Sequence, residues 1–103
     1  MISQENKRLL MANWGDKANA MACYCEVKFI DPNSHWACYI FGLNPDDEDE
    51  IACIVNGVEL EISNWSLKEL CSSYNNDGEY VVEDQEFRRI RAAELFKRLS
   101  EGR

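Results

Sequence analysis

The sequence predicts an α+β fold: an antiparallel four- to five-stranded sheet with an N-terminal helix, a short middle helix and a C-terminal helix. Three observations lead there. Polar and apolar residues alternate over 23–30 and 58–63, the period of a half-buried strand. Turn chemistry at Asp31-Pro32-Asn33-Ser34 and Asn56-Gly57 joins neighbouring strands through a few residues, which favours local antiparallel pairing. Helical spacing occurs near both ends and after Ser66. With 103 residues, a single domain over 1–103 is expected.

Each element has its own reason. Ser3 is a suitable N-cap and Gly15 a stop signal, so a helix is expected over 4–13, its face carrying Asn6, Leu9, Leu10 and Asn13. In the strand over 23–30, Cys23, Cys25, Val27 and Phe29 point one way; Tyr24, Glu26 and Lys28 point the other. Residues 36–43 are apolar on both faces, which predicts a central strand paired with the first. A loop of five acids, 46–50, then leads into a strand over 51–55. Asn56-Gly57 predicts a tight hairpin, with Val58, Leu60 and Ile62 inward and Glu59, Glu61 and Ser63 outward. Ser66-Leu67-Lys68-Glu69 has the form of a capping box that opens a short helix. A turn is expected over 75–78 and a short strand over 79–82. Ala92, Leu95, Phe96 and Leu99 mark a C-terminal helix from about 88, which Phe87 and Ile90 would extend towards 85.

The order of signals resembles a small uncharacterised family, domain of unknown function two-nine-five-eight. The residues carrying the resemblance are Leu9-Leu10-Ala12-Asn13, Lys28-Phe29-Ile30-Asp31-Pro32, Leu43-Asn44-Pro45-Asp46-Asp47, Glu59 to Glu61 leading into Ser66-Leu67-Lys68-Glu69-Leu70, and Val82-Glu83-Asp84 with Phe87. The family's longer, glycine-rich link between the third and fourth strands is replaced here by Asn56-Gly57. The resemblance implies a setting on plasmids, phages and integrative elements, and hence an accessory or anti-defence role. It implies no enzymatic activity.

Charge is the strongest functional signal. The net charge is −8, and residues 44–86 hold thirteen of the nineteen acids but one of the eleven bases, Lys68. Exposed carboxylates at Asp46, Asp47, Glu48, Asp49, Glu50, Glu59 and Glu61 would present an anionic surface to a basic partner. Grooves that neutralise phosphates are such partners, so a nucleic-acid-handling host effector of the CRISPR or restriction type is the expected target. The plain alternative is a solvated loop that aids solubility. The block lacks the glycine and the alternating ligands of a calcium loop.

The other candidates are weaker. Five cysteines stand at 23, 25, 38, 53 and 71, an odd number in apolar surroundings, which reads as reduced, buried thiols. Cys23 and Cys25 with Cys38 or Cys53 would be a zinc alternative, and a cysteine paired with His35 a thiol-enzyme alternative. Neither has the spacing those chemistries need, so no cofactor and no metal is expected. Arg88, Arg89, Arg91, Lys97 and Arg98 spread around the last helix beside a strongly acidic segment, so direct nucleic-acid binding is not expected. Trp14, Trp36 and Trp65 are expected in the core or half-buried. Residues 1–8 contain no apolar stretch for a signal peptide and the sequence no membrane span, so the cytoplasm is the expected location. A homodimer through a sheet edge is a further alternative.

Overall fold

The computed structural model describes residues 2–15, 21–72 and 81–103. Along the chain lie α1 (Gln4–Trp14), β1 (Tyr24–Cys25), β2 (Val27–Ile30), β3 (Ala37–Asn44), β4 (Asp47–Asn56), β5 (Leu60–Ser66), α2 (Leu67–Ser72), β6 (Val82–Glu83), β7 (Ile90–Arg91) and α3 (Ala92–Glu101). Five strands form one antiparallel sheet in the order β5-β4-β3-β2-β6, and β1 pairs separately with β7. The architecture is the α+β arrangement the sequence predicts. Among the described residues, no helix is long and apolar enough to cross a membrane.

The sheet is covered on both faces. On one, Leu10 of α1 and Leu70 of α2 pack with Val27, Phe29, Ile40, Leu43, Ile51 and Val55. On the other, Ala92 and Leu95 of α3 pack with Tyr39, Phe41 and Ile54. β3 is the middle strand, and residues 37–43 are buried without a break. That is why its sequence shows no alternation: neither face meets water.

At the start of α1, the Ser3 hydroxyl accepts the Asn6 N–H at 3.1 Å. At its far end, the Asn13 side-chain amide donates to the Phe41 and Tyr24 carbonyls at 3.0 and 3.4 Å, pinning the helix to the sheet. The register between β3 and β4 shifts between Ile40 and Gly42. A β-carbon on Gly42 would lie 3.2 Å from that of Ala52 and 3.4 Å from the Trp14 ring, so the absent side chain leaves the space in which Trp14 rests.

Several expectations need correction. The strand over 23–30 is broken at Glu26: Cys25 joins the α3-side core, Val27 and Phe29 the α1-side core. The acids at 46–50 are not a loop. Pro45 and Asp46 make a two-residue turn, and Asp47 already opens β4. Leu43 pairs with Ile51 and Asn44 with Asp47, so Glu48, Asp49 and Glu50 form a bulge.

The link after β4 is the three-residue loop Gly57–Glu59, closed by the Asn56–Leu60 pair. Gly57 serves close approach, not a left-handed turn: a β-carbon there would sit 2.8 Å from Trp36 Cδ1. Val58, expected inward, is 98% exposed at the loop tip, and Ile62 is 51% exposed because β5 is the outermost strand. Of the three, Leu60 packs against the core.

The C-terminal helix begins at Ala92, not near 88. Ile90 and Arg91 are extended and pair with Cys25 and Tyr24, and the Ala92 N–H donates to the Cys23 carbonyl at 2.8 Å. Tertiary pairing overrides the helical pattern there. Of the short strand expected over 79–82, residues 79 and 80 lie outside the described residues and Val81 is not in a strand; β6 is Val82–Glu83, paired with β2 at Ile30–Val82 and Phe29–Glu83. The turn expected over 75–78 lies outside the described residues.

Candidate functional site

The acids at the start of β4 divide into two kinds. Asp49 and Glu50 are bound into the fold. Asp49 Oδ2 accepts the Ser66 hydroxyl at 2.6 Å and Oδ1 accepts the Lys68 N–H at 2.7 Å, so Asp49 caps α2 from another strand. The Ser66 hydroxyl bond, then the Lys68 amide, hold the Asp49 carboxyl below the usual carboxylate range. Ser66 Oγ in turn accepts the Glu69 N–H at 3.2 Å, as a capping box requires. Glu50 takes a side-chain amide on each oxygen, from Asn44 and from Asn64, both at 3.1 Å.

Asp46, Asp47 and Glu48 are of the second kind, exposed to solvent. Their backbone is nevertheless fixed: Asn44 Oδ1 accepts the Asp46 N–H at 2.9 Å and Asp47 Oδ1 the Asp49 N–H at 3.1 Å. These bonds fix the backbone that carries the three exposed carboxylates. Beside them is a concavity of about 600 Å³ lined by Asp47, Asp49, Glu50, Asn64, Trp65, Ser66 and Glu69. Among the described residues, no ion pair links Asp46, Asp47 or Glu48 to a lysine or arginine.

Glu59 and Glu61 lie elsewhere. Glu61 pairs with Val55 and Glu59 sits in the loop beyond Asn56, whereas Asp47 opens the same ten-residue strand. The β3 partners of Asp47 and Val55, Asn44 and Cys38, are six residues apart, which at the rise of an extended chain puts the two groups on the order of 20 Å from each other. The seven expected residues therefore form an acidic corner of five and an outlying pair. Glu69 is the corner's addition that the acid count along the chain does not single out; the capping box, which brings the first turn of α2 against Asp49, is the signal that places it.

Four arginines of the C-terminal segment have partners other than the corner's acids. Arg89 makes a two-pronged pair with Glu26, at 2.9 and 2.6 Å, and lies 3.9 Å from the centre of the Tyr24 ring. The Glu26 carboxylate raises the Arg89 pKa further. Arg91 donates to the Ala22 carbonyl at 3.0 Å, and Arg98 pairs with Glu94 at 2.7 Å. Arg103 reaches Asn56 and the carbonyls of Gly57 and Val58.

No family model, no curated protein and no solved structure matches the chain. The resemblance drawn from the sequence thus gains no support there, and the side chains carry the argument alone. Two of the buried cysteines offer little chemistry. Cys25 is fully buried and its thiol is pushed up to about 12 by that burial. Cys38 is raised by its hydrogen bond with Cys53 and by burial. Both remain thiols at neutral pH, and the thiolate is the nucleophile. Among the described residues, no three His, Cys, Asp or Glu side chains converge as metal ligands would. His35 is exposed in the β2–β3 turn.

Proposed function

We propose that this chain is a non-enzymatic binding protein whose acidic corner docks on a basic surface of another protein. The observation that carries the reading is the division of labour at the start of β4. Asp49 and Glu50 satisfy internal donors, which fixes the turn that presents Asp46, Asp47 and Glu48, none of them ion-paired among the described residues. A preformed array loses little entropy on docking. Its unscreened charge steers a cationic partner towards it. Surfaces that bind nucleic-acid phosphates carry such cationic grooves. The partner class is therefore a nucleic-acid-handling protein, and in a mobile-element setting a CRISPR or restriction effector of the host cytoplasm.

The test is affinity capture from host lysate at about 50 and about 500 mM salt, a range over which the screening length falls from roughly 14 to 4 Å. The captured protein is expected to be basic, to dissociate at the higher salt, and to be lost on the triple change D46K/D47K/E48K. Capture indifferent to both salt and charge reversal overturns the proposal.

A further inference from the structure

We infer that the free edge of β5 binds an extended peptide with alternating basic and apolar residues, which adds to the sheet as a further strand. The inference rests on the acidic-surface reading above and names the partner segment more closely.

β5 has seven residues, and among the described residues no strand pairs with its outer side. An open edge offers outward N–H and C=O groups at alternate residues, and natural sheets usually guard it with lysine, proline or a bulge. Leu60–Ser66 contains neither lysine nor proline, and its pairing with β4 runs without a register shift. Ile62, near its middle, stands 51% exposed.

Two concavities meet along this edge, and Asn64 lines both. One, of about 240 Å³, is largely apolar: Ile62 faces Trp14, Phe41 and Ala52 across it. The other is the acid-lined hollow of Asp47, Glu50 and Glu69. Side chains of an added strand alternate between faces. One set then enters the apolar groove while the other meets Glu61 and the acidic end. Backbone bonds supply affinity in this mode and the pockets supply selectivity.

Charge chooses between a foreign peptide and a second copy of this chain. Antiparallel pairing of β5 with itself would bring Glu59 and Glu61 of each copy towards the Asp47, Glu50 and Glu69 end of the other. Like charges oppose that dimer, while lysine or arginine on the incoming strand is attracted at both ends.

The probe is a fluorescent seven-residue peptide alternating lysine and valine, compared with the same peptide carrying proline for its central valine. Proline removes a ladder donor at unchanged charge, so the alternating peptide is expected to bind about tenfold or more tightly. It is also expected to slow hydrogen exchange of β5 amides. Ile62→Glu, at an exposed site, is expected to weaken binding at least about fivefold although it adds a favourable charge, because it removes the apolar seat.

Equal binding of the two peptides, or binding unchanged or tighter with Ile62→Glu, shows attraction by charge alone. Either result removes strand addition and leaves the acidic corner standing. Failure of both peptides to bind also removes it, while the corner is judged separately by its own charge-reversal variant. A free protein that sediments as a dimer with β5 amides already protected places a second copy on the edge and overturns the inference.

Discussion

At the scale of single residues, Asp49 shows how one carboxylate can be mistaken for a surface charge. In sequence it is the fourth of five consecutive acids; in the fold it caps α2. Its lowered pKa sets the sign of a pH effect. A carboxyl held below its unfolded value of about 3.9 stabilises the native state fully above that value. The contribution is lost as pH falls through the lowered native value. Asp49→Asn should therefore lower the melting temperature at pH 7 and narrow the gap to wild type as pH drops below about 4, measured by thermal melts across pH. The Glu26–Arg89 pair gives a second test. The Glu26 side chain is 5% exposed, so Arg89→Ala strands a nearly buried carboxylate. The double variant R89A/E26Q should melt higher than R89A alone, because the orphaned charge is gone. Gly57→Ala pushes a methyl against Trp36 at 2.8 Å and should cost about 1–3 kcal/mol in denaturant unfolding.

At the scale of elements, the strands and helices that obey one local rule were legible in the sequence, and those decided by a distant partner were not. The unbroken apolar run of β3, the Ser3 cap of α1 and the Ser66 capping box each follow from neighbouring residues. β7 does not: Ile90 is extended because Cys25 pairs with it from far back in the chain. Alternation over 58–63 named a strand correctly but not its position, and an outermost strand buries less than its pattern suggests. For the candidate site, the run of acids was plain, but their separation into structural and free carboxylates depends on Asn44, Asn64 and Ser66, which no spacing rule links to them. The energetic contrast is measurable. Leu70→Ala, in the fully buried anchor of α2, should cost about 2–5 kcal/mol. Val58→Ser, at the loop tip, should change stability by no more than about 0.5 kcal/mol.

At the scale of the whole molecule, the acids at the start of β4 and the arginines near the C-terminus answer to different partners. Asp46, Asp47 and Glu48 have no arginine paired with them among the described residues, while Arg89, Arg91 and Arg98 are occupied with Glu26, a carbonyl and Glu94. Association through the corner should then slow steeply with added salt, chiefly in the on-rate, and stopped-flow mixing with a basic partner would show it. The placement of two tryptophans adds a practical consequence. Trp14 rests on Gly42 at the apolar groove, whereas Trp65 borders the acid-lined hollow. The indoles are therefore intrinsic optical reporters stationed at separate addresses. Trp36 stacks on Trp65 at 5.7 Å, so replacing each of the three in turn by phenylalanine is what assigns an emission change to its source, and so tells, without a label, where on the surface a visitor has landed.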